Sequence, residues 1–455
     1  MAHLEHDPTA KPDGLSLADL AHVAPMNAGI NDLGHMQVAG VDLVELATTQ
    51  GTALYVMDEA HMRKQLQAYQ SALAKTWPDH AVAYAGKAFV CKAMCRLVAD
   101  EGAWLDVSSG GELAVALAAD FPVDRVLVHG NNKTERELIE AIEAGVGRIV
   151  VDCFEELERI QRLAAERGVI QKIQLRIKPG VVADTHSHII TGSEDSKFGF
   201  GITDGWALHA VEQALAASNI ELTGLHGHIG SQIFAFGAYE QTIAVFFTFM
   251  KILQESCGFV PSELNLGGGV GSAYRVEHRP PTIESFVQLV TEAVGRECEA
   301  IGLDRSELKL FFEPGRSIVA NAGITLYTVG AIKELPDIRT FVAVDGGMTD
   351  NIRTALYDAR YECLIANRAA EPRDAIVTVA GKHCESGDVV MIDANIQTPG
   401  VGDVLVIMTT GAYNYSMSSN YNKQPRPAVV WVADGQAREV VRRESYEDLL
   451  ATDIG

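Results

Sequence analysis

Lys87 closes the apolar run AVAYAGK at 81–87. A lysine entering a buried strand end has its ammonium disfavoured by desolvation, which suits a nucleophile that forms a Schiff base with an aldehyde. The same position also suits a rim lysine that keeps its head in water. The run LNLGGGVG at 264–271 follows a strand pattern and lacks both the G-x-G-x-x-G spacing and the P-loop Lys-Ser/Thr. Its consecutive glycines still let backbone N–H groups approach an anion closely. A second turn, EPGRS at 313–317, ends another apolar run and sets Glu313 beside that anion site. A carboxylate there makes sense against a protonated ring nitrogen. Lysine for an aldehyde, acid for a pyridinium and glycines for a phosphate together describe pyridoxal phosphate.

Three later segments are also rich in functional groups: DGGMTDNIRTALY at 345–357, GKHCESGD at 381–388 and TTGAYNYSMSSNYN at 409–422. The guanidinium fork of Arg353 matches a substrate carboxylate. Cys384 beside Glu385 is either a chance pair in a polar turn or a proton donor next to an ammonium-binding carboxylate. Tyr357 and Tyr413 are core aromatics or ligand-lining donors. Of His226 and His228, one is expected to face the pocket. With His186 and His188 of THSH they make a zinc site imaginable, but no H-E-x-x-H or cysteine pairing accompanies them and no metal is expected.

These residues need elements to position them. Short β-branched runs alternate with amphipathic stretches: AVAYAGK (81–87), WLDVSS (104–109), VLVHGN (126–131), RIVVDC (148–153) and IQLRIKP (173–179). The centres Tyr84, Asp106, Val128 and Val150 recur every 22 residues. LTGLHGHIG (222–230), ELNLGGG (263–269) and LKLFFEPG (308–315) bring the strands to eight. Eight βα units over this length fit a (β/α)8 barrel, with a doubly wound open sheet as the competing arrangement. Barrel ligands gather at the C-terminal strand ends, where Lys87, Asp106, Ser108, His129, Asp152, Arg176, His228 and Glu313 fall.

After residue 320 short strands divided by turns read as an antiparallel β-sandwich or β-barrel. The expected organisation is a flexible segment at 1–30, an N-terminal element of the β-domain at 31–52, the barrel at 53–320 and the β-domain at 321–455. The 455 residues carry 37 Lys+Arg against 60 Asp+Glu, a net charge of −23 that makes phosphate-backbone binding a poor reading. Seven scattered cysteines, an odd count, fit a reducing compartment. No secretion signal or apolar run of membrane length is visible, so a cytoplasmic protein without nucleic-acid or membrane partners is expected.

YAGKAF, HGNNK (129–133), DSKFG (195–199), GLHGHIGSQI (224–233), LNLGGGVG, EPGRSIVANAG (313–323), DGGMTDNIRTALY, CESGD and TGAYNYSMSSNYN occur in this order. Over about residues 40–445 the chain resembles the diaminopimelate decarboxylase family. The resemblance implies a fold-type III pyridoxal-phosphate carboxy-lyase: a (β/α)8 barrel, a β-domain and a head-to-tail homodimer with shared active sites. It implies decarboxylation of meso-2,6-diaminopimelate at its D-centre to L-lysine, the last step of lysine biosynthesis. Lys87 would then carry the cofactor, His228 would stack on its ring and Glu313 would pair with its nitrogen. Ser231, Gly269, Gly315 and Arg316 would hold the phosphate, with Tyr413 nearby. Arg316, Arg353, Tyr357 and Tyr413 would bind substrate. Cys384 and Glu385 would reach in from the partner subunit as proton donor and binder of the distal amine. Phe89 stands where many members carry asparagine, and THSHIITG (185–192) differs from the usual THxYIxTG.

Sister decarboxylases for ornithine, arginine or carboxynorspermidine are the nearest rivals. Two arginines plus Glu385 favour a distal group bearing both carboxylate and amine. A non-catalytic homologue commonly lacks the lysine or cysteine, and both are present. An alanine-racemase-like enzyme on the same barrel would lack the CESGD loop.

Overall fold

The computed structural model describes residues 6–7, 9–181 and 196–455. The THSHIITG segment, with His186 and His188, lies outside them. Two compact units emerge: residues 64–271 with 280–315, and residues 1–63 with 272–279 and 316–455.

In the first unit eight strands form a closed parallel barrel: β1 (His80–Ala85), β2 (Trp104–Val107), β3 (Val126–Val128), β4 (Arg148–Val151), β5 (Gln171–Lys178), β6 (Ile220–His226), β7 (Glu263–Asn265) and β8 (Lys309–Phe312). Each pairs in parallel with the next, and β8 returns to β1 through Leu310–His80, Phe311–Ala81 and Phe312–Val82. The closed circuit settles the choice between barrel and open sheet. It also leaves none of these eight strands with an unpaired edge. All eight expected runs become strands. Helices cross between them in βαβ order, closed by local devices such as the Thr134–Glu137 capping box and the left-handed Gly145 that ends Glu135–Ala144.

The barrel interior changes character along its axis. One layer is apolar, with Ala81, Ala83, Leu127, Val150 and Phe311 packed together and Trp104 edge-on to Phe311. Polar side chains also enter it, among them Gln174, Glu263 and Asn265, which are buried. Glu263 accepts from Arg148 Nε at 3.0 Å, from Gln174 Nε2 at 2.9 Å and from Thr223 Oγ1 at 2.6 Å, so the buried charge is paired and hydrogen-bonded.

The second unit is built on a sheet in the order Val389–Ile396, Ala375–Ala380, Arg339–Val344, Gly323–Leu335, Leu54–Asp58, Ala428–Ala433 and Gln436–Val441. Val404–Ile407 pairs with both Gly323–Leu335 and Cys363–Ile365. Most pairings are antiparallel, as expected from the turn-rich texture. Two are parallel: Leu54–Asp58 with Ala428–Ala433, and Arg339–Val344 with Ala375–Ala380. Leu54–Asp58, placed by the sequence reading at the start of the barrel, pairs antiparallel with Gly323–Leu335 and lies in this unit. Residues 14–30, read from composition as flexible, also join it. Leu17, Leu20, Val23 and Ala24 pack into its core, because Leu17 and Leu20 share one side of a helical turn. Among the described residues no helix is long and apolar enough to cross a membrane.

Candidate active site

The C-terminal strand ends of the barrel converge on Glu313, the residue after β8. Its Oε1 lies 2.8 Å from His129 Nε2, just beyond β3, and accepts from Asn265 Nδ2 at the end of β7 at 2.8 Å. Its Oε2 lies 3.1 Å from His226 Nε2, the last residue of β6. Asp106 of β2 approaches the His129 imidazole, with Oδ1 3.8 Å from Nε2, and that oxygen is buried without a hydrogen-bond partner among the described residues. Arg176 of β5 stacks over Phe198 at 4.0 Å and lies 3.9 Å from Asp152 after β4.

Burial alone would raise the Glu313 carboxyl, yet His129 and His226 beside it hold it well below the usual carboxylate range. Burial drives His226 down to about 4, so near neutral pH that ring is uncharged and serves Glu313 by donating its Nε2 proton. Desolvation lowers His228 as well, helped by the nearby cationic Lys87 and Arg176. It raises Asp106, which His129 opposes. The site therefore holds one ionised carboxylate among groups pushed toward neutrality, a pattern found where charge does work.

Both histidines at the close of β6 belong here. The expectation that only one faces the pocket rested on alternation along a strand, but residues two apart on a strand share a face, and the strand closes at His226, which leaves His228 in the loop beyond it. His228 is half-buried, and its Nδ1 lies within 2.8 Å of where a side chain on Gly267 would begin. Lys87 sits in the turn Gly86–Ala88 after β1 and is exposed. Its site is a rim turn, the second of the two readings that the strand end left open.

The glycine run after β7 is laced to the loop after β6. Ile233 N donates to Gly269 O at 2.9 Å and Gly271 N to Ile233 O at 3.0 Å, with Ser231 in the turn that leads to Ile233. Gly269 has φ +122, and a Cβ there would stand 2.6 Å from Gly230 O and from Tyr239 Oη. Only glycine fits. Gly315 is nearly as confined, since a Cβ would lie 3.0 Å from the Ala85 methyl.

The β-unit holds a second cluster. Arg316 Nη1 donates to Tyr274 Oη at 2.6 Å and its guanidinium lies 4.8 Å from the Tyr413 ring. Arg353 Nε donates to Tyr361 Oη at 3.1 Å, with the Tyr357 ring 5.3 Å away. Burial would raise the Tyr274 phenol, but the two arginines pull it below its ordinary value. Arg353 is 9% exposed and has no carboxylate partner among the described residues. A buried guanidinium held only by phenols and aromatic faces leaves room for a ligand anion. Elsewhere in this unit Cys384 and Glu385 are exposed on a loop whose base is pinned by Asp388, which accepts from Met348 N at 2.6 Å and His383 N at 2.8 Å.

Sequence reasoning marked the strand-end residues but missed Asn265, Gln174, Tyr274 and Tyr361. Asn265 and Gln174 read as ordinary strand polar residues. Tyr274 follows the glycine run closely enough to have drawn notice. His129, His226 and Glu313 offer ligand atoms within 4.8 Å of one another. A metal on His226 Nε2 would move its proton to Nδ1, which is buried with no acceptor among the described residues, so the group is better read as a hydrogen-bonded carboxylate. Pyridoxal phosphate fits these residues. Glu313 Oε2 retains acceptor capacity, Asp106 Oδ1 is an orphaned buried oxygen, and the backbone at Gly269 has a shape that only a glycine permits.

Comparison with known proteins agrees. The family described as "Pyridoxal-dependent decarboxylase, pyridoxal binding domain" matches residues 59–320. Diaminopimelate decarboxylase of Bacillus subtilis is 46% identical over 424 residues, 93% of this chain and 96% of that protein. The crystal structure of diaminopimelate decarboxylase from M. jannaschii in co-complex with L-lysine superposes with a TM-score of 0.86 at 35% identity, covering 94% of this chain and 98% of that one. The Helicobacter pylori enzyme complexed with L-lysine gives 0.82 at 29% identity, covering 90% and 98%.

Proposed function

This chain belongs to the diaminopimelate decarboxylases, a branch of the pyridoxal-dependent decarboxylases, and from that premise we propose how its residues share the work. The protein decarboxylates meso-2,6-diaminopimelate to L-lysine and carbon dioxide with pyridoxal phosphate as cofactor. When bound, that cofactor supplies an aldehyde for the substrate amine and a ring that accepts the electron pair left as carbon dioxide departs. The observation that carries the reading is the buried, ionised Glu313 among imidazoles at the strand ends.

Glu313 holds a proton at the ring nitrogen, because an anionic carboxylate there favours the protonated ring. The Lys87 amine would provide the covalent hold on the cofactor aldehyde. His228 would lie against the ring. Its depressed pKa keeps the imidazole neutral, so it adds no charge beside the ring. Ser231, Gly269, Gly315 and Arg316 bind the phosphate, largely through backbone N–H groups, with Tyr413 beside them.

Arg316, Arg353, Tyr357 and Tyr413 bind the substrate. The Arg353 guanidinium meets the carboxylate that is retained, in keeping with its phenol and aromatic neighbours. Cys384 Sγ delivers the proton to the carbon that lost carbon dioxide, and Glu385 holds the distal ammonium. Both come from the second copy in a homodimer, and their exposure on a pinned loop suits that arrangement. None of the seven cysteines forms a disulfide, which suits a reducing compartment.

Purified protein with pyridoxal phosphate should release lysine and carbon dioxide from meso-diaminopimelate, read by mass spectrometry. Ornithine, arginine and carboxynorspermidine run in parallel should stay unchanged. Turnover of one of these instead would overturn the roles given to Arg353 and Glu385 while leaving fold and cofactor intact.

A further inference from the structure

We propose that Asn265 is a positioning residue whose amide fills one oxygen of Glu313, reserves the other for the cofactor ring, and ties that carboxylate to the glycine turn. The proposal rests on the reading of Glu313 as the partner of the ring nitrogen.

Asn265 ends β7 and is fully buried. Its Nδ2 donates to Glu313 Oε1 at 2.8 Å and to Gln174 Oε1 at 3.1 Å, while its Oδ1 accepts from Gly267 N at 3.0 Å. The amide cannot be turned over, since that would set an oxygen against two acceptors and a nitrogen against an N–H. Gln174 is fixed in the same way, because its Nε2 donates to Glu263 Oε2 at 2.9 Å and Glu263 is held by Arg148. A chain of forced orientations thus runs from Arg148 through Glu263, Gln174 and Asn265 to Glu313.

The consequence lies in the lone pairs. Glu313 Oε1 already accepts from His129 and Asn265, which fills its two acceptor directions. Among the described residues Oε2 accepts only from His226, so it alone has a direction left for a ring N–H. Through Oδ1 the same amide anchors the first glycine of the run that receives the phosphate. One side chain therefore sets both ends of the cofactor cradle relative to each other.

Asn265→Asp tests this, because it keeps the acceptor for Gly267 and replaces the amide donor that faces Glu313 and Gln174. At low pH the new carboxyl is protonated and still donates. As pH rises the two carboxylates repel and Glu313 is displaced. Cofactor dissociation constants of the apoprotein, from absorbance titration across roughly pH 6–9, should show a loss growing to about tenfold or more at the alkaline end. In a Glu313→Gln background, where the glutamine amide can donate to the introduced carboxylate, that pH-dependent loss should vanish. The thermal midpoint of each apoprotein reports folding. If the Asn265→Asp variant does not fold, Asn265→Ala carries the same cycle, and its affinity loss should shrink at least about threefold in the Glu313→Gln background. An equal or pH-independent loss in both backgrounds would make Asn265 ordinary core and sink the inference. Glu313→Gln with wild-type affinity and spectrum would instead remove the reading of Glu313, and this inference with it.

Discussion

At the scale of single residues the group proposed to hold the cofactor ring differs from the two proposed to react. Glu313 is held by three donors, whereas Lys87 and Cys384 stand exposed. Lys87→Ala should abolish the absorbance band of the cofactor Schiff base and leave no measurable lysine production. A retained band would assign the covalent hold to another amine. Cys384→Ala should still release carbon dioxide but lower lysine formation by about a hundredfold or more, as expected for loss of a positioned acid. Unchanged product formation would count against its role. Arg353→Lys keeps the charge but not the fork. One charge-assisted hydrogen bond is worth about 1.5–3 kcal/mol, so KM for diaminopimelate should rise roughly tenfold or more with the cofactor constant unmoved.

At the scale of elements the strand ends are stapled before they are functional. Lys133, in the loop after β3, donates to Gly130 O at 2.8 Å, Val150 O at 2.7 Å and Glu156 Oε1 at 2.6 Å, while Glu156 Oε2 accepts from Asp152 N. The pair is buried, joins the β3 and β4 rims, and fixes the loop that carries His129. Lys133→Met should destabilise by about 3–5 kcal/mol in urea unfolding, because it leaves Glu156 buried without its cation. Adding Glu156→Gln should recover part of that loss. A similar logic governs the glycine run. Gly269→Ala drives a methyl against Gly230 O and the Tyr239 hydroxyl, so cofactor affinity should fall sharply in the absorbance titration.

At the scale of the whole molecule, acid should unfold this protein partly through its site. His226 titrates at about 4 when folded and near 6.5 when free. Its contribution is therefore complete above pH 6.5 and is lost as pH falls through 4, because the unfolded chain takes up the proton first. The difference amounts to about 3 kcal/mol. Glu313, depressed in the fold, loses its share in the same direction. The thermal midpoint should decline over that window and decline less in His226→Gln, which keeps the donor without the basic nitrogen. An equal decline would place the acid sensitivity elsewhere. Mixing Lys87→Ala and Cys384→Ala proteins tests the shared sites. Random pairing should restore about a quarter of the activity, since half the dimers would hold one intact site. No recovery would deny that the two residues come from different copies.

Alternation of apolar runs with helical stretches, at a 22-residue spacing over the first four, was enough to name eight strands, because a parallel strand buried on both faces must be apolar and must be followed by a crossover helix. Lys87, Glu313 and the glycine run were legible for a related reason: their chemistry is rare at the close of an apolar run. Tertiary structure alone decided what those runs do to one another. That Leu54–Asp58 lies parallel to Ala428–Ala433 depends on pairing between distant ends of the chain, which no local pattern records. That Lys87 is exposed, that His226 reaches Glu313, and that Asn265 holds the same carboxylate depend on how strands stagger around the barrel. A side chain's period along its own strand is local and can be read. The partner it meets across the barrel is set by closure, and only the folded chain contains that.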